Sequence, residues 1–176
     1  ALHCGFDPAR FLQDRTASRD AITGEFAWPQ HARIVLFAGR IDQSPDPAHP
    51  QTHKNAGFAV DVAIAAARKY PALCMVLAGS GSPAVVVLEQ RIAAAGLTGR
   101  IVFAGLRRDV EHLMAAADVL RFPSRAEGLC MVAVEAPAAT PPVLTPRPAP
   151  RDMPTRIVRV PVGRLKVAFA NSINCW

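Results

Sequence analysis

Three short apolar runs, each closed by a glycine, constrain this 176-residue chain more than any other feature. Arg33-Ile-Val-Leu-Phe-Ala38 ends at Gly39, Leu73-Cys-Met-Val-Leu-Ala78 at Gly79, and Ile101-Val-Phe-Ala104 at Gly105. Runs that are continuous rather than alternating belong to strands buried on both faces. Helical patterns lie between them. Asn55–Tyr70 carries Phe58, Val62, Ala65 and Ala66 at helical spacing and ends in Arg68-Lys69, where positive charge suits the helix dipole. Pro83 fits the first turn of a second helix, Ala84–Ala95, which stops at Gly96. Asp109–Ala117 reads as a short helix, Asp118–Phe122 as a fourth strand closed by Pro123-Ser124, Leu129–Ala139 as a helix, and Pro142–Leu144 as a short fifth strand. Alternation at this spacing predicts βαβ units: an α/β domain with a parallel sheet and helices on both faces.

The flanks read differently. Residues 1–32 form a lead-in, a loop with one short helix around Ala17–Thr23. Residues 33–145 form the domain. The stretch from Asp42 to His53 contains Pro45, Pro47 and Pro50 and must be a loop. The tail, 146–176, carries Pro146, Pro148, Pro150, Pro154 and Pro161, which predicts irregular structure with one edge strand at Val158–Val162. Hydrophobic residues make up 51% and charged residues 19%, so a full core can be buried and a disordered composition is excluded. No window of about eighteen apolar residues predicts a transmembrane helix. The first residues, Ala1 to Gly5, carry neither a start Met nor a signal-peptide pattern, so the chain reads as a fragment of a longer one. Cys4, Cys74, Cys130 and Cys175 form no C-x-x-C pair; Cys74 is expected in the core, and a reducing cytoplasm is the default location. The net charge is +6, but no basic run is interleaved with aromatics, which argues against nucleic acid as a partner. An anionic small ligand, an anionic membrane surface or a generally basic surface each accounts for the charge.

Ligands on open α/β sheets bind outside the carboxyl ends of the strands, and three candidate motifs lie there. At the first, Gly39 permits close approach of a ligand, while Arg40 and Lys54, before the following helix, are suited to a diphosphate; two solvated cations at loop ends are the alternative. The second, Gly79-Ser-Gly81-Ser-Pro-Ala84, satisfies the G-x-G-x-x-A pattern of dinucleotide-binding turns. It follows the second strand rather than the first, and Gly105-Leu-Arg-Arg108 stands where an acidic ribose ligand is expected, so a plain tight turn competes with a nicotinamide site. The third runs from Ser124 through Glu127, Gly128, Leu129, Cys130 and Met131 into a helix that carries Glu135. Unpartnered N–H groups near Leu129–Met131 suit a pyrophosphate, and Gly128 permits its approach. A helix cap at Glu127 and a surface charge at Glu135 are the alternative.

In order, these pieces resemble the family 4 glycosyltransferases, specifically the C-terminal donor-binding, Rossmann-like half of their GT-B fold. The resemblance runs from Leu2-His-Cys-Gly5-Phe-Asp7-Pro-Ala-Arg-Phe11, similar to the family's interdomain link, to about Leu144. It includes Phe37-Ala-Gly39-Arg40, Lys54-Asn55, Leu77-Ala-Gly79-Ser-Gly81, Val102-Phe-Ala-Gly105, Ala117-Asp118-Val119, Phe122-Pro123-Ser124 and Glu127-Gly128-Leu129 with Glu135. Seven residues separate Glu127 from Glu135, the family's spacing. The resemblance implies that Arg40 and Lys54 hold the donor diphosphate, that Gly105 to Arg107 lie beside the nucleobase through backbone, that Glu127 meets the sugar and Glu135 the ribose, and that Leu129–Met131 take the phosphates. It implies retaining transfer of a hexose from a nucleotide-diphosphate sugar, with no metal in the site and no cofactor beyond the donor. It also implies an N-terminal acceptor-binding domain outside this chain and leaves room for peripheral membrane contact in the full enzyme. The departures are Cys130 where Gly or Ser is usual, Arg121 in a strand that is usually apolar, Pro137 inside the last helix, and Thr140-Pro141-Pro142 in place of the usual Gly turn and Pro. They leave a non-catalytic donor-binding remnant as the alternative, beside an NADP-dependent oxidoreductase built on Gly79–Ala84.

Overall fold

The computed structural model describes residues 7–125, residue 135 and the strands 143–145 and 156–158. After a 3-10 turn, Pro8–Phe11, the elements are α1 (Arg15–Glu25), β1 (Arg33–Ala38), α2 (Ala56–Lys69), β2 (Leu73–Ala78), α3 (Ala84–Ala94), β3 (Ile101–Gly105), α4 (Val110–Ala116), β4 (Val119–Arg121), β5 (Val143–Thr145) and β6 (Arg156–Val158). The six strands form one sheet in the order β3-β2-β1-β4-β5-β6. The first five pair in parallel, as the alternation predicts; β6 runs antiparallel to β5, with Leu144 opposite Ile157. The edge strand therefore begins at Arg156 rather than at the expected Val158.

Both faces of the sheet are covered because successive side chains of β1 and β2 point to opposite sides. Ile34, Leu36, Cys74, Val76 and Leu120 pack with Leu113 and Met114 of α4 and Ile22 of α1. On the other face, Phe37, Met75 and Leu77 pack with Ala56, Ala59, Val60 and Ala63 of α2 and Leu88 and Ile92 of α3. Cys74 is buried as expected, and that burial pushes its thiol pKa up. The lead-in adds Phe11, Ile22 and Trp28 to the first core. Its helix is longer than the expected Ala17–Thr23 because Asp14 caps it, accepting from the Ala17 N–H at 2.7 Å.

Asp118 joins the lead-in to the sheet. Its carboxylate accepts from the Ile34 N–H at 2.8 Å, while its own N–H donates to the Ile34 carbonyl at 2.8 Å, locking the start of β4 beside β1. Arg15 (2.8 Å) and Arg19 (3.2 Å) of α1 bind the same carboxylate, with Arg33 at 3.9 Å. The two α1 guanidiniums also donate to the Ala115, Ala116 and Ala117 carbonyls at the end of α4.

Arg121, at the end of β4, is 7% exposed, and its Nε has no hydrogen-bond partner. Its guanidinium lies 5.2 Å from the Phe58 ring centroid, and it forms no ion pair among the described residues. Burial pushes its pKa down.

Candidate functional site

The site is built on the adjacent carboxyl ends of β3, β2, β1 and β4. Gly39 follows β1, and its backbone runs so close to Gly79, after β2, that a Cβ on Gly79 would stand 1.9 Å from the Gly39 carbonyl oxygen. The glycine at the head of the G-x-G-x-x-A pattern is thus required by packing between strand ends. The Gly79 N–H donates to the Gly105 carbonyl at 2.8 Å and the Ile41 N–H to the Ser80 carbonyl at 3.1 Å, so the three strand ends are cross-tied.

Arg40 is exposed beside Gly39 and has no ion-pair partner among the described residues. Lys54 is half-buried. A Cβ built on Gly39 would lie 4.0 Å from its Cδ, so Lys54 crosses the end of β1 next to Arg40. Its Nζ lies 5.9 Å from the Phe122 ring centroid, at the end of β4. The structure therefore brings Gly39, Lys54 and Phe122 together.

What holds Lys54 is Asp42, which sequence reasoning treated only as the start of a loop. Asp42 is 4% exposed. Its carboxylate accepts from the N–H groups of His53 (3.0 Å), Lys54 (3.1 Å) and Asn55 (2.6 Å). Three charge-assisted bonds of this kind make a buried carboxylate tenable. Asn55 adopts the left-handed conformation, φ 62°, and its side chain makes no capping bond to α2.

The segment leading to the third motif starts beside Lys54. The Arg125 N–H donates to the His53 carbonyl at 2.8 Å, and its guanidinium to Pro47 at 2.9 Å. Glu127, Gly128, Leu129, Cys130 and Met131 lie outside the described residues. Glu135 is helical and half-buried. Burial pushes its pKa up; Arg10, nearby, opposes that shift and Glu111 adds to it.

Gly105 ends β3 with φ +65° and open space where a Cβ would stand. Arg107 had been expected near a nucleobase through its backbone; its guanidinium is held by Asp109 and Glu25. Those two carboxylates push its pKa up. Asp109 is correspondingly held below its ordinary value by Arg107.

Residues 32–174 match the model of the glycosyl transferases group 1 family. The chain belongs to the group 1 glycosyltransferases. Other members resemble it along most of its length: the D-inositol 3-phosphate glycosyltransferase of Mycolicibacterium smegmatis is 29% identical over 98% of the chain, and that of Mycobacterium tuberculosis 31% over 81%. The chain spans only 34% and 28% of those two relatives. Among solved structures, Anabaena Alr3699/HepE in complex with UDP and glucose superposes with a TM-score of 0.66 at 26% identity, covering 81% of this chain and 36% of that one. The C-terminal domain of the group 1 protein LpcC from Francisella tularensis gives 0.65 at 25% identity, covering 80% and 70%. The fold is thus the Rossmann-like half of a GT-B glycosyltransferase. No helix among the described residues is long and apolar enough to cross a membrane.

Proposed function

We propose that this chain is the donor-binding part of a retaining glycosyltransferase, which binds a nucleotide-diphosphate sugar so that its hexose passes to an acceptor. The observation that carries this is the delivery of Lys54 across Gly39, beside Arg40, at the carboxyl end of the central strand of a group 1 family domain. HepE, a family likeness, binds UDP-glucose in its crystal structure. In this chain Arg40 and Lys54 hold the diphosphate, the first as a fork and the second as a point charge. Leu129–Met131 supply N–H donors to the phosphates, Gly128 lets them approach, and Glu127 takes the sugar hydroxyls. Glu135 accepts from the ribose, and the Gly105–Arg107 backbone lines the base.

Catalysis by such an arrangement is stabilisation of the departing diphosphate, whose negative charge grows as the glycosidic bond breaks. Arg40, Lys54 and the N–H groups of Leu129–Met131 would supply that stabilisation without a metal or a cofactor. Acceptor binding falls to sequence beyond these 176 residues, which make up about a third of the curated relatives. The cytoplasm, where nucleotide sugars are available, is the proposed location, with membrane contact at most peripheral.

Calorimetry with UDP, GDP and ADP tests the site. One of them is expected to bind at about millimolar affinity or tighter, and Lys54→Ala and Glu135→Ala to weaken it at least about tenfold. Binding indifferent to both substitutions refutes the assignment. Cys130 and Pro137 favour a second reading, a donor-binding remnant; transfer or donor hydrolysis by this chain excludes it.

A further inference from the structure

The loop from Gly105 to Asp109, between β3 and α4, is held by residues from the opposite end of the described chain. The Arg107 side chain is 18% exposed and engages two carboxylates. Its Nε and Nη2 donate to Asp109 at 2.8 and 2.7 Å, and both terminal nitrogens donate to Glu25, the last residue of α1, with Nη2 at 3.0 Å. One residue further on, the Arg108 carbonyl accepts from Arg10 at 3.2 Å, and the same Arg10 nitrogen pairs with Glu111 at 3.0 Å. Arg10 is rooted by its neighbour Phe11, which is 5% exposed in the core between α1 and α4. The Arg107 fork therefore ties a five-residue loop to α1, and a single nitrogen of Arg10 adds a more exposed tie to the 3-10 turn.

The loop's tip contrasts with its flanks. Leu106 is 79% exposed, and nothing lies within 4 Å of a Cβ built on Gly105. Nothing local explains why a short loop with an uncovered apolar tip is stapled from so far away in sequence. A bidentate arginine fixes orientation as well as position, so Arg107 sets the direction of the loop's backbone groups and Arg10 adds a point tie at the Arg108 carbonyl.

We infer that Arg10 and Glu25 are positioning residues for the nucleoside end of the donor. Glu25 holds the base-lining loop through Arg107, and Arg10 holds it through the Arg108 carbonyl. Arg10 and Glu111 also act electrostatically, in opposite directions, on Glu135, the proposed ribose ligand. The lead-in thus acts on the donor site without touching the donor. This inference rests on the donor-site assignment above and adds to it Glu25, which no motif marks, and Arg10, which lies in the link motif but had no role there.

The test compares Arg10→Ala, Glu25→Gln and the conservative Arg10→Lys with the unmodified chain. Two probes are titrated: whichever of UDP, GDP and ADP the unmodified chain binds, and inorganic pyrophosphate, which lacks the nucleoside. Arg10→Ala and Glu25→Gln are each expected to weaken the nucleotide about three- to tenfold while pyrophosphate changes less than about twofold, with Arg10→Lys between the extremes. Hydrogen exchange of the 105–109 amides, measured without ligand, is expected to accelerate in both variants. Equal weakening of nucleotide and pyrophosphate overturns the inference, because it signals a general loosening. So does unchanged exchange, whatever the affinities. If the unmodified chain binds pyrophosphate and no nucleotide, the donor-site assignment itself fails and the positioning role with it.

Discussion

Replacing Arg121 with methionine is expected to stabilise this protein. The side chain is 7% exposed, its Nε has no partner, and it has no carboxylate partner among the described residues. A buried donor left unpaired costs about 1–3 kcal/mol. The Phe58 ring, 5.2 Å from the guanidinium, returns about 0.5–2 kcal/mol. Arginine stays charged at any working pH, so it cannot escape the cost by neutralising. Methionine keeps the unbranched stem and its packing, fills irregular gaps and brings no donor. At the centres of those ranges the balance favours Arg121→Met by about 0.5–1 kcal/mol, in line with the finding that buried ionic groups exchanged for apolar ones are often neutral or stabilising. For a chain of this size the thermal midpoint should rise about 1–4 °C, with the urea m-value unchanged. A double-mutant cycle with Phe58→Leu isolates the ring: Phe58→Leu should destabilise the unmodified protein more than the Arg121→Met variant, by the worth of that contact. A drop of more than about 1 kcal/mol on Arg121→Met would refute the reasoning and mean that the guanidinium earns its burial elsewhere.

Other outcomes follow from the same structure. Asp118→Ala removes the acceptor of the Ile34 N–H and leaves Arg15, Arg19 and Arg33 unneutralised around it, so a loss of about 3 kcal/mol is expected by chemical denaturation, with Asp118→Asn costing less. Gly79→Ala puts a methyl 1.9 Å from the Gly39 carbonyl oxygen and should destabilise by more than about 2 kcal/mol, whereas Gly81→Ala, whose nearest neighbour is Val85 at 4.0 Å, should be tolerated in a thermal melt. Stability should fall in acid. Arg107 holds Asp109 below its ordinary value; burial is the largest single influence on Glu111 and opposes its ionisation, but the bond and charge of Arg10, a backbone bond and His112 together outweigh it and hold Glu111 low as well. Depressed carboxylates contribute stability that is full above their unfolded pKa values and is lost as pH drops through the folded ones, so the midpoint should decline below about pH 4.5 and decline less in Asp109→Asn, Glu111→Gln.

The strands and the family were legible because each strand follows from local chemistry. β1 to β3 are apolar on both faces and end at glycines, and the ordered strand-end pieces carried the family resemblance. The lead-in helix was under-read because its buried stripe uses Ser18 and Thr23 beside Ile22, and small polar residues weaken an apolar period. Ser18 is satisfied by His112 and Thr23 by the Arg19 carbonyl, partners that a periodicity pattern does not register. Asp42 and Asp118 were invisible as structural centres because their partners lie 11 to 13 and 84 to 103 residues away. Arg107 shows the converse: its position was legible, but its side chain answers to Glu25, 82 residues off.

The three bonds to Asp42 divide the proline-rich connection after β1 into two mechanically separate parts. Below them, Lys54 and the start of α2 sit on a frame set by β1. Above them, the tip is a closed loop whose ends are already joined. Pro45 is further pinned under α2, where a Cβ on Gly57 would stand 2.2 Å from its carbonyl oxygen. Lengthening the tip beyond Asp46 then costs about 0.6 kcal/mol of closure entropy for each doubling, beside the bond from Arg125 to the Pro47 carbonyl that the tip would carry with it. The connection can therefore grow or shrink at its tip, and change the surface it presents, while Lys54 at its base keeps its place at the end of β1.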